Sequence, residues 1–66
     1  MKLSIEIDGN IDTIALWHLI EPYKINLTAI GDKTYIYGDV ALHNVGPIVE
    51  RCSLFGDLEV RLSEGG

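Results

Sequence analysis

The sequence predicts an α+β domain with the element order β-α-β-β-α-β. Three observations carry that prediction. Apolar and polar residues alternate near both ends and in the middle of the chain, helical spacing fills the two stretches between, and turn residues mark the junctions. Leu3, Ile5 and Ile7 alternate with Ser4, Glu6 and Asp8, the period-two pattern of a strand with one buried face. Asp8-Gly9-Asn10 ends it, with Asn10 as the expected helix N-cap and Asp12 in the first turn, where the helix dipole favours a negative charge. The first helix should then span residues 11 to 20, because Pro22 lacks an N–H and biases Glu21 away from helical conformation.

Ile25, Leu27 and Ala29 alternate again, as do Thr34 and Ile36 beyond Gly31-Asp32. A Gly-Asp pair between two such runs suits a two-residue type II′ hairpin. That loop sets Leu27 opposite Ile36, Thr28 opposite Tyr35 and Asn26 opposite Tyr37, and Gly38-Asp39 closes the third strand. Residues 40 to 46 have no single reading, since Gly46-Pro47 interrupts any helix begun at Asp39. Val45, Ile48, Val49, Cys52 and Phe55 then recur at helical spacing, with Gly56 where a C′ glycine would stop the helix. Leu58, Val60 and Leu62 make the last strand, and residues 63 to 66 read as a frayed tail of the single domain 1–66.

The two halves carry a faint echo: Lys2, Ile5 and Asp8 recur as Lys33, Ile36 and Asp39, and Ile25 and Leu27 as Leu58 and Val60. Right-handed crossovers favour a four-stranded antiparallel sheet of order 4-1-3-2 with both helices on one face. Over its whole length this architecture resembles the ferredoxin-like fold, which hosts many functions and so implies none by itself.

Composition narrows the classes. Of 66 residues, 47% are apolar and 23% charged, the balance of a folded protein. A chain this short buries only about 60% of its unfolded surface, so self-association would supplement a small core. Ten acids against five bases give a net charge of −5. That balance disfavours nucleic-acid phosphates and anionic membranes, and it draws in a basic protein partner. The longest wholly apolar run, Ile14 to Trp17, is far short of a membrane span. Alternation begins directly after Met1-Lys2, without a secretory pattern, so a cytoplasmic location is expected.

Chemistry-bearing residues are sparse. His18, His43 and Cys52 fall on different elements in no ligand pattern, so neither a metal nor a cofactor is expected. Heavy-metal-binding members of the ferredoxin-like fold carry a paired-cysteine loop after the first strand, where this chain has Asp8-Gly9-Asn10. Cys52 lies on the apolar stripe of the second helix, where a small buried thiol fits better than a nucleophile. No catalytic residue emerges, and a non-enzyme is expected.

The first helical stretch is apolar around nearly its whole circumference. Ile11, Ala15, Leu16, Leu19, Ile20 and Tyr23 fill one half, while Ile14 and the only Trp, Trp17, lie beside Thr13, His18 and Glu21 on the other. Ile14, Trp17, His18 and Glu21 stand at i, i+3, i+4 and i+7, a candidate protein-contact stripe. The alternative is that the Trp17 ring lies flat across the core edge.

The open sheet face should present Ser4, Glu6, Asn26, Thr28, Tyr35, Tyr37, Glu59 and Arg61. Tyr35 and Tyr37 are further partner-contact candidates. They also resemble the aromatic pair of RNA-recognition motifs, which implies single-stranded nucleic-acid stacking, although Ser4 and Glu6 stand where that family keeps an aromatic. The element order and Gly9 resemble the ACT-type regulatory domains as well. That resemblance implies a small-ligand sensor binding amino acids at Asp8, Gly9 and Asn10, though the basic-proline sequence around the glycine is missing.

The function expected first is a non-enzymatic protein–protein interaction module, either an acidic regulator or inhibitor or a homodimerising domain. In size and charge the chain resembles the small inhibitors that phages direct against basic, nucleic-acid-handling host proteins.

Overall fold

The computed structural model describes residues 1–64. The elements are β1 (Lys2–Asp8), α1 (Thr13–Ile20), a 3-10 turn (Glu21–Tyr23), β2 (Asn26–Ile30), β3 (Lys33–Asp39), α2 (Leu42–Ser53) and β4 (Leu58–Ser63). The four strands form one antiparallel sheet ordered β2-β3-β1-β4, the expected order read from its other edge. Leu3, Ile5 and Ile7 of β1 and Ile36 of β3 point to one face, where Leu16 and Ile20 of α1 and Ile48 and Cys52 of α2 cover them. Ile25 and Val40 join this core at the end of the sheet where β1 starts and β3 stops.

Register follows turn chemistry. Gly31 has φ +62°, and among the described residues Lys24 is the only non-glycine at positive φ, so the hairpin has positive φ at its first central position alone. That is the signature of type II′. It pairs Asn26 with Tyr37, Leu27 with Ile36 and Thr28 with Tyr35, as the loop length requires. The internal echo also finds its physical meaning here. In the β1–β3 ladder Lys2 pairs with Asp39, Ile5 with Ile36 and Asp8 with Lys33, so two similar strands run antiparallel with opposite charges at both ends.

Local structure departs from the expectations at six places. α1 starts at Thr13, and Asp12 is its N-cap, with its carboxylate accepting the Ala15 N–H at 3.0 Å. Asn10 lies too far upstream to reach that amide. Leu19 is exposed rather than on the core half. At 100° per residue, Leu16 and Ile20 share the centre of the buried face, and Leu19 falls well to one side of them. Glu21 remains helical (φ −50°, ψ −42°), because the chain continues into one 3-10 turn with Pro22 at its start, where no N–H is needed.

α2 runs through Gly46-Pro47 from Leu42, giving residues 42 to 46 a helical conformation. Proline this near the N-terminus removes only the bond to the exposed His43 carbonyl. Gly46, with no Cβ, also relieves the clash that proline imposes on its predecessor. The helix ends at Ser53 with Leu54 as C-cap, one residue ahead of the place expected from Gly56. Ser63 belongs to β4, paired with Lys2, so it is not part of a tail; residues 65 and 66 lie outside the described residues.

Two substitutions test these assignments by chemical denaturation. Asp12→Ala should cost about 1 kcal/mol through loss of the cap, while Asn10→Ala should change stability by less than about 0.5 kcal/mol. Gly38 faces Ile25 so closely that an added Cβ would stand 2.8 Å from its Cγ2. Gly38→Ala should therefore destabilise the fold by about 1–3 kcal/mol, and an unchanged midpoint would contradict this packing.

Candidate protein-contact surfaces

α1 is held by Leu16 and Ile20 beneath it and by the Asp12 cap at its start. With those two residues committed to the core, geometry turns Ile14 and His18 outward, and Ile14 is 72% exposed. Trp17 lies on the flank of the same face at 40% exposure, so its ring partly covers the core edge and partly meets solvent. The Glu21 N–H donates to the Trp17 carbonyl, which keeps Glu21 in helical phase one turn beyond it. Ile14, Trp17, His18 and Glu21 thus form one outward stripe on a helix without Lys or Arg, with Asp12 and Glu21 at its two ends.

Tyr35 and Tyr37 do not join that stripe. They alternate with the buried Thr34 and Ile36, which places them on the opposite, helix-free face of the sheet. There they neighbour Ser4 and Glu6 on β1 and Asn26 and Thr28 on β2. Lys33 lies 3.7 Å from Glu6, and Arg61 lies 2.9 Å from Glu59. Glu6 first, then Asp8, raises the Lys33 pKa, and the Arg61 hydrogen bond lowers that of Glu59. Both bases on this half of the face are therefore neutralised by adjoining carboxylates, which is poor chemistry for holding a phosphate backbone.

The loop Asp8-Gly9-Asn10 is tied down by the protein itself. The Asp8 N–H donates to the Asp57 carbonyl at 3.1 Å and the Gly9 N–H to the Asp32 carbonyl at 2.7 Å. Neither amide remains for a ligand carboxylate. Those bonds also draw Asp8, Asp32 and Asp57 to one end of the sheet, giving it an acidic pole with Lys33 as its base.

Sequence patterning marks β4 as a strand but not as a contact surface. Leu58, Val60 and Leu62 point to the helix side in register with Ile7, Ile5 and Leu3, yet Val60 and Leu62 are 37% and 47% exposed. Alternation reveals which face a residue joins, not whether a helix reaches over it. The legible signal was the order Leu58-Glu59-Val60-Arg61-Leu62, whose charges mirror about Val60 with opposite sign.

Among the described residues no group of His, Cys, Asp and Glu is arranged to hold a metal, and no helix is long and apolar enough to cross a membrane. Comparisons with protein-family models, with curated proteins and with solved structures find no match to the chain. Surface chemistry alone therefore carries the functional reading.

Cys52 is fully buried, and desolvation pushes its thiol up to about 11 from 9.0. A raised folded value means the unfolded chain ionises first. The resulting stability is fully present below 9.0 and lost as pH rises through about 11. Measured against Cys52→Ala, the wild-type advantage should shrink over that window. A disulfide reagent at neutral pH should modify Cys52 only as fast as the chain unfolds; immediate modification would contradict its burial.

Proposed function

We propose that this chain is a non-enzymatic protein-contact module, an acidic regulator or inhibitor that docks on a basic protein through the outer stripe of α1. The carrying observation is the 72% exposure of Ile14 beside a half-covered Trp17 on a helix whose core positions are already filled. Exposed aliphatic and tryptophan surface supplies the contact area that dominates binding energies. The occupant is argued from charge: acids bracket the stripe, and the net charge of −5 steers a basic surface toward it.

The element order, the strand order and the helices on one face support reading the architecture as ferredoxin-like. Cys52, unpaired and buried, suits a reducing cytoplasm. The amino-acid-sensor alternative loses support because the Asp8 and Gly9 amides are engaged. Base stacking on Tyr35 and Tyr37 loses support because Glu6 and Glu59 lie beside them.

Ile14→Gln separates contact from stability. At a site this exposed it should shift folding by less than about 0.5 kcal/mol. Affinity capture from an extract of the source organism should retain a basic protein with the wild type and lose it with Ile14→Gln or at raised salt. The single Trp gives an independent readout, since its emission should shift to the blue when the purified partner is added. Equal capture by the variant, or unchanged Trp17 emission on binding, would overturn the α1 surface.

A further inference from the structure

β4 is an edge strand: among the described residues β1 pairs with one side of it and no strand with the other. The direction of its backbone groups follows from the ladder. The Asp8 N–H to Asp57 carbonyl bond fixes which β1–β4 pairs exchange hydrogen bonds, so Glu59, Arg61 and Ser63 turn their N–H and C=O groups toward β1. Leu58, Val60 and Leu62 therefore turn theirs outward, with no partner among the described residues. The same three residues carry the apolar side chains of β4, two of them substantially exposed. Unpaired backbone and uncovered apolar side chains coincide on one edge, the condition for strand addition.

We propose that this edge takes a second copy of the chain, β4 against β4, antiparallel about a two-fold axis through Val60. In that register Val60 pairs with Val60, Leu58 with Leu62, and Glu59 with Arg61 of the other copy. Val60 exchanges both its backbone bonds across the axis, and each Leu58 does so with the opposing Leu62, so every free group of these residues is used. Each four-stranded sheet continues into the other.

Charge selects this occupant and this register. Across the β1–β4 ladder Glu59 faces Glu6, a like-charged pair, and Arg61 faces the uncharged Ser4, so the counter-charge of each is the other, 2.9 Å away along β4 itself. The second copy sets an arginine opposite each Glu59 and a carboxylate opposite each Arg61. Edges guarded against pairing carry charges that repel a second copy, whereas opposite signs two residues apart attract one. The molecule contains the precedent: β1 and β3 pair by the same rule, Lys to Asp, Ile to Ile and Asp to Lys. β2 offers no such code, since Asn26–Ile30 carries no charge. This surface is the β4 edge, not the outer stripe of α1, so either proposal can fail alone.

Sedimentation equilibrium from micromolar to millimolar protein tests it. The wild type should approach twice the 7.3 kDa chain mass. Val60→Pro removes an outward N–H that β1 does not use, so the fold should persist by circular dichroism while the dimer is lost. Glu59→Arg or Arg61→Glu alone should weaken association at least about tenfold, since symmetry places like charges together twice. The double exchange Glu59→Arg with Arg61→Glu should restore it. A wild type that stays monomeric throughout overturns the proposal. So does a dimer that survives Val60→Pro, or one in which the double exchange binds no better than the single variants.

Discussion

β1 runs between β3 and β4, and its Leu3, Ile5 and Ile7 occupy the space beneath Leu16 and Ile20 of α1 and Ile48 and Cys52 of α2. Two short helices can cover the centre of a four-stranded sheet but not its margins. Gly38 lets Ile25 pack in where β3 stops, and Val40, tied to the Met1 carbonyl at 2.8 Å, packs in at that same end. The uncovered apolar surface follows from this economy. Val60 and Leu62 lie at the edge beyond the helices, and Ile14 rides on the far side of a helix whose near side is full. Among the described residues no further layer lies over either.

Antisymmetric charge is the second organising device. A strand with opposite charges at equal distances from an apolar centre is complementary to an antiparallel copy of itself. β1 and β3 use that property within the chain, with Lys2 against Asp39 and Asp8 against Lys33. β4 repeats it more tightly around Val60 and displays it on a free edge. Individually such pairs contribute only a few tenths to about 1 kcal/mol, so their effect is to choose register and partner while apolar burial supplies the affinity.

The sheet was legible in the sequence because period-two alternation and a Gly-Asp turn specify face and register together. Leu27 opposite Ile36 needed nothing else. Helix ends were less legible. Asn10 and Asp12 are both good caps, and the choice rests on where the helix starts: with Thr13 first, Asp12 stands three residues ahead of the Ala15 amide that it accepts. Pro47 was misleading because its penalty depends on how far it lies from the N-terminus, and that start was itself uncertain from residues 40 to 46. On the candidate surfaces, the outward stripe of α1 was readable from helical geometry. The separation of Tyr35 and Tyr37 from it was readable too, since alternation already placed them on the other side of the sheet. Coverage was not readable: Leu19, Val60 and Leu62 have core-like patterns and are left partly bare by where the helices lie.

Residue-resolved amide hydrogen exchange across a range of protein concentrations tests the central claim, that burial ends at the margins and leaves β4 one-sided. The Glu59 and Arg61 amides, directed at β1, should be protected at every concentration. The Leu58, Val60 and Leu62 amides should exchange freely in dilute solution and gain protection as concentration rises. A Val60 amide as protected as that of Glu59 in dilute solution, or one that never gains protection, would contradict it.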